Sequence, residues 1–172
     1  MQDRTSRSST RSLLVWALPL AAILTADAAF GELYAVGDEI ASFTLKDQHG
    51  ESRTVDASVK VILFSRDMKG GDSLKEGLAD VAPEYLNGKK AVYVADISSM
   101  PRLIARIFAI PAMRTRPYSM LLDRDGEATA RLPDVEGQAT LIFLERLTVQ
   151  RIVHLAEAPA VRRELESASD RE

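Results

Sequence analysis

KVILFSRDMKGGDSLKE, Lys60 to Glu76, is the stretch whose reading decides the fold. Val61 to Phe64 is a short unbroken apolar run, and Lys60 to Ser65 reads as a strand covered on both faces. Arg66 to Asp72 (RDMKGGD) reads as a Gly-containing loop. Ser73 and Glu76 have capping-box spacing, in which a hydroxyl and a carboxylate three residues apart each satisfy a free N–H at a helix start. Leu74, Leu78, Val81 and Tyr85 then recur at helical spacing on one face, and Pro83 is expected to bend or interrupt the helix.

Outward from this unit the chain alternates. Ala41 to Lys46 and Glu51 to Val55 read as a hairpin about Asp47-Gln48-His49-Gly50, with His49 a solvated turn residue. Downstream, Ala91 to Ile97 is a second buried strand, and Met100 to Phe108 is a helix that tolerates Pro101 in its first turn. Ile110 to Pro117 reads as irregular. Tyr118 to Asp123 is a strand, and a turn at Arg124-Asp125-Gly126 leads to Glu127–Leu132. Thr140 to Glu145 and Thr148 to Leu155 form a closing hairpin, and a helix from Pro159 to about Ser167 ends the fold. This is a βαβ unit joined to a ββα unit.

The 172-residue chain carries a formal charge of −3, two histidines and no cysteine. So mild a charge gives no nucleic-acid surface. His49 and His154 have no carboxylate partners at ligand spacing, so no metal is expected. Neither a G-x-G-x-x-G fingerprint nor a P-loop is present, and no cofactor is expected. Arg4, Arg7 and Arg11, the apolar run Leu13 to Leu24 and Ala26-Asp27-Ala28 have the order of a cleavable export signal over residues 1–28. The expectation is a protein of the Gram-negative periplasm. The alternative is an inner-membrane anchor facing the periplasm, with membrane contact only through a retained leader. Residues 29–36 form a lead-in, 37–167 one domain, and 168–172 a frayed polar tail.

The order of elements resembles the thioredoxin-like superfamily, in particular its exported thioredoxin and peroxiredoxin branches. Val61 to Ser65 is similar to the strand feeding that family's reactive loop. Met68-Lys69-Gly70-Gly71 lies over its C-x-x-C, and Pro83 over its helix proline. Arg116-Pro117-Tyr118 to Asp123 is similar to the segment carrying its cis-proline, which makes Pro117 the candidate for the cis bond. Val36-Gly37-Asp38 and the hairpin at Gly50 match the exported branches. The resemblance implies a three-layer α/β/α sandwich with an N-terminal hairpin extension and a mixed central sheet.

The absence of cysteine separates fold from chemistry. Thiol–disulfide exchange and thiol peroxidation both need a thiolate, so both are excluded for this chain. Ser65 and Ser73 flank the loop, but a serine needs a base beside it, and His154 is the only histidine with the prospect of approaching them. What the resemblance leaves is the peptide-binding edge. Arg66, Met68, Lys69, Gly70 and Gly71 of the loop would face Arg114, Arg116 and Pro117, a basic rim around Met68, Met113 and Tyr118. The expectation is a non-catalytic accessory module that binds a peptide, a protein or an anionic ligand there. Two alternatives stay open: an enzyme of another type using Asp67 or Asp72, and an accessory subunit of an oxidoreductase that brings its own cysteines.

Overall fold

The computed structural model describes residues 31–169, so the export signal expected at 1–28 and the last three residues lie outside it. One mixed seven-stranded sheet runs in the order β2-β1-β5-β4-β3-β6-β7. The strands are β1 (Phe43–Asp47), β2 (Ser52–Val55), β3 (Val61–Ser65), β4 (Ala91–Asp96), β5 (Met120–Asp123), β6 (Ala139–Glu145) and β7 (Thr148–Leu155). β3, β4 and β5 are parallel neighbours, while β6 runs antiparallel to β3 and β1 to β5. β3 is buried at all five positions, as a central strand with both faces covered must be.

The two faces carry unlike cover. On one, Leu63, Tyr93, Ala95 and Leu141 meet Leu74, Leu86, Ala105, Ile110, Val161 and Leu165. These contacts come from α1 (Met68–Gly77), α2 (Tyr85–Gly88), the helical run 102–113 and α5 (Ala158–Ser169). On the other, Ile62, Phe64, Val94, Leu121 and Ile142 meet Tyr34, Ile40, Val55, Val59 and Leu132. Mixed sheet, hairpin extension and helical cover are those of the expected class, and the outer layer on the second face is irregular chain. Each large side chain removed from water here contributes about 1.5–3 kcal/mol.

Several local expectations are corrected. Helix α1 starts at Met68, five residues before Ser73, because Asp67 is its N-cap and accepts the Gly70 N–H at 2.8 Å. Ser73 lies inside the helix, and its hydroxyl donates to the carbonyls of Lys69 and Ala156. The helix ends at Gly77, well before Pro83, and Tyr85–Gly88 is a separate turn. Ile110–Pro117 is not wholly irregular either. The run 102–113 is continuous: α3 (Arg102–Ile104), a π-helical turn (Ala105–Ala109), then α4 (Ile110–Met113). Pro111 has no N–H for the Ile107 carbonyl. The π turn, in which Ile110 N–H donates to the Ala105 carbonyl, carries the helix past that gap. The turn at Arg124-Asp125-Gly126 leads into a loop, Glu127–Leu132, that the buried Asp123 carboxylate gathers. It accepts from Gly126 N–H at 2.9 Å and from Thr129 N–H and Oγ1 at 2.8 and 2.9 Å.

Candidate functional site

β3 and β4 end side by side at Ser65 and Asp96, and beyond carboxyl ends of parallel strands is where open α/β sheets leave a crevice. Here it is a groove of about 670 Å³ between α1 and the 100–116 segment. Ala95 and Ile97 come from β4 and its exit, while Met100, Pro101, Ile104, Ala109, Ala112 and Met113 form the far wall. Tyr118 and Met120 close one end, and Met68, Gly71, Asp72 and Lys75 of α1 form the near wall.

The exposed lining is mainly apolar, and its polar members include Ser65, Asp67, Asp96 and Ser99 beside two tyrosines and further charged residues. Tyr93 is 3% exposed, and its phenol oxygen lies 3.3 Å from Ser65 Oγ. Burial raises the Tyr93 phenol far above the ordinary tyrosine value, and the Ser65 hydrogen bond opposes this only in part. Tyr118, whose ring centroid is 6.2 Å from that of Tyr93, is likewise raised by burial and partly countered by Arg116. Both phenols are therefore neutral hydrogen-bonding groups. Arg116 lines the groove with no carboxylate in salt-bridge range among the described residues, whereas Lys75 is paired with Asp72 at 2.8 Å.

The residues expected to form a basic rim are dispersed by the fold. Arg66, Met68, Gly71 and Arg116 line the groove; Lys69, Gly70, Arg114 and Pro117 do not. Arg66 reaches it only with its flank. Its guanidinium is held by Asp96 at 3.5 Å, Asp134 at 3.2 Å and the carbonyls of Thr129 and Leu132. Lys69 runs along Gly137, and Arg114 Nε donates to the Gln48 carbonyl at 2.8 Å. The cis bond expected at Pro117 is also corrected: no cis peptide occurs among the described residues, and Pro117 is exposed. The trans isomer is the favoured one unless neighbours impose the other. Here Pro117 precedes β5, which pairs parallel with β4 and is not a neighbour of β3.

The strand antiparallel to β3 is β6, entered through Gly137-Gln138-Ala139. This entry faces α1. A Cβ on Gly70 would sit 2.4 Å from the Gln138 carbonyl oxygen, and Gly137 N–H donates to Asp67 Oδ2 at 2.8 Å. Gly137 turns the chain there with φ +74°, a conformation glycine adopts freely. So Ala139 occupies the place for which Pro117 was the candidate. Tyr93 escaped the sequence reading, although a tyrosine amid the aliphatics of a buried strand carries a polar tip that needs a partner.

The alternatives fare unequally. Asp67 spends both oxygens on backbone N–H groups, and Asp72 is exposed and paired with Lys75. His154 Nδ1 lies 3.0 Å from Thr140 Oγ1, so its partner is neither Ser65 nor Ser73. No group of three His, Asp or Glu able to hold a metal occurs among the described residues.

This arrangement of sheet, helices and groove is the thioredoxin-like fold. Scans of protein-family models and of curated proteins return no match. Among solved structures, the chain is similar to peroxidoxin BcpB from Mycobacterium tuberculosis, with TM-score 0.54 and 19% identity over 80% of this chain and 97% of that one. It is similar to thio-disulfide isomerase from Thermus thermophilus, with TM-score 0.51 and 23% identity over 78% and 97%. A peroxiredoxin-like protein from Aquifex aeolicus gives TM-score 0.51 and 11% identity over 81% and 90%. Identities this low carry the fold and not the activity, and the absence of cysteine in this chain is consistent with the absence of thiol redox activity.

Proposed function

We propose that this chain is a thiol-free binding protein whose groove takes a small amphiphile, an apolar body with an anionic head. The observation that carries the reading is the composition of the groove. An apolar trough of about 670 Å³ has one unpaired arginine at its rim and two neutral phenols in its wall. That volume lies within the range of small-molecule sites, which are mostly apolar with a few placed polar groups. Ile97, Met100, Met113 and Met120 would hold the chain or ring of the ligand, methionine adapting to its shape. Arg116 would meet the anionic head. The leader-like residues 1–28 support a location outside the cytoplasm.

Dansyl-undecanoate, a fluorescent fatty-acid analogue, tests the reading. The Gly71→Leu variant should abolish its binding, because a Cβ at Gly71 lies 3.7 Å from Ser65 Oγ and 3.8 Å from the Tyr93 oxygen. Those are ordinary contacts for a Cβ, and the longer side chain is chosen to reach on into the groove that Gly71 lines. Arg116→Gln should weaken dodecanoate several-fold and leave dodecanol unchanged. Equal binding by wild type and Gly71→Leu would overturn the assignment of the groove.

A further inference from the structure

The helical run 102–113 has a second face that the groove does not use. Ala105 and Ile110 are buried in the core. Leu103, Ile107 and Phe108 are 66%, 51% and 65% exposed, and Ile104, 45% exposed, borders them at the edge of the groove. Their spacing places them together on one side of the helix. They are four of the eight large hydrophobic residues exposed among the described residues. Together they make a patch on the order of a few hundred Å², a size at which apolar surface marks a contact.

The charge carried by the segment itself has one sign. From Ile97 to Leu122 the chain holds four arginines and no Asp or Glu, although acids outnumber Lys and Arg 25 to 22 overall. Arg102 is 94% exposed and reaches only Asp125, at 3.4 Å, itself 68% exposed. Arg106 is exposed as well. An apolar helix face flanked by arginines suits a lipid interface. There, aliphatic and aromatic side chains enter the headgroup–acyl boundary, and guanidinium groups remain with the phosphates. A protein partner would be expected to find alternating charges that fix its register, and this segment has none.

We infer that the 102–113 run docks on the surface of an anionic lipid bilayer, seating Leu103, Ile107 and Phe108 in the boundary and Arg102 and Arg106 on phosphates. The inference stands apart from the groove, since none of these five residues lines it.

The test uses the full chain. Leu13 to Leu24 can itself enter vesicles, so the readout must be local, and a chain without cysteine allows a single label. Phe108→Cys, carrying a nitrobenzoxadiazole fluorophore, is mixed with phosphatidylglycerol/phosphatidylcholine vesicles or with phosphatidylcholine alone. The expected result is a several-fold rise and blue shift of emission on the anionic vesicles only, reduced by added salt. The same label at Glu51, exposed at the hairpin, should stay silent. Adding Arg102→Glu and Arg106→Glu to the labelled Phe108→Cys chain should weaken the response at least tenfold. A label at 108 that stays in water on anionic vesicles overturns the inference, as does an equal response on neutral ones or a response indifferent to the two glutamates. So does a label already shielded before vesicles are added, which would mean that protein covers the patch.

Discussion

Three glycines in α1 should respond in opposite directions to the same substitution. Gly70, Gly71 and Gly77 all have ordinary helical backbone with no positive φ, so Gly→Ala gains each about 0.5–1 kcal/mol in helix propensity. What differs is the space. At Gly71 the new methyl meets Ser65 Oγ at 3.7 Å, a normal contact. At Gly70 it would lie 2.4 Å from the Gln138 carbonyl oxygen and 2.8 Å from the carbonyl carbon, both backbone atoms at the entry to β6. At Gly77 it would lie 2.8 Å from Val161 Cβ and 2.9 Å from the Ala158 carbonyl oxygen. Overpacking of this kind costs about 1–3 kcal/mol, more than the propensity gain. Gly71→Ala should therefore be more stable than wild type by about 0.5–1 kcal/mol, and Gly70→Ala and Gly77→Ala less stable by roughly 1–2 kcal/mol. Urea unfolding followed by circular dichroism resolves such differences, and melting temperatures should shift by a few degrees in the same directions. A Gly70→Ala protein as stable as Gly71→Ala would refute the close seating of α1 on Gln138.

Four further substitutions test the network behind the groove. Asp47 is 2% exposed; burial raises its carboxyl, but bonds from His49 N–H, Glu51 N–H, Ser119 and Arg53 outweigh this and hold it below the usual value. A lowered native pKa gives stability that is fully present above the ordinary carboxylate range and lost as pH falls through the native value. Asp47→Asn should therefore cost about 1–3 kcal/mol at neutral pH and flatten the acid limb of the stability profile. Gln48, 1% exposed, donates to the Tyr118 carbonyl at 2.8 Å and accepts the Met120 N–H at 2.7 Å. Gln48→Ala strands two buried backbone groups and should cost about 2–4 kcal/mol in urea unfolding. Arg66→Ala leaves Asp96, whose side chain is 7% exposed, without its cation. It should lower stability by about 1–3 kcal/mol, while Asp134→Asn, at the more exposed end of the pair, changes it far less.

The strands were legible because apolar runs bounded by turns have one good solution, and β3 shows it at every position. Helix α1 was misread at its start because Gly70-Gly71 looks like loop. Gly70 stands in the helix because its close seat on Gln138, about seventy residues on, leaves no room for a Cβ. Ser73 and Glu76 have capping-box spacing, yet the Asp67 side chain had already ended the search for an N-cap. The site was less legible than the fold. Arg116 to Asp123 resembles the strand that faces the loop, and only the sheet order gives that place to β6. Arg66 looked like a free rim cation because its carboxylate partners, Asp96 and Asp134, are distant in sequence. Local spacing reports amphipathic faces well and pairing order poorly.

A thiol placed in this loop would meet an unfavourable helix start. In this fold a reactive thiolate gains from the N–H groups and dipole at the start of the loop helix. In this chain Asp67 has taken that place. One carboxylate oxygen holds Gly70 N–H and the other holds Gly137 N–H, each at 2.8 Å. The helix end is already satisfied by a built-in anion, and a second negative charge beside it would be repelled. Met68→Cys should therefore give a thiol that titrates at or above the ordinary value of about 8.5. Adding Asp67→Asn, which keeps a capping oxygen and removes the charge, should lower it by roughly one unit. Met68 is 79% exposed, so water limits the effect without reversing its sign. The pH dependence of iodoacetamide alkylation reads both values. A Met68→Cys thiol titrating below about 7 would show that the helix N-terminus still favours an anion. The Asp67 cap would then account for the helix start and not disfavour a thiolate.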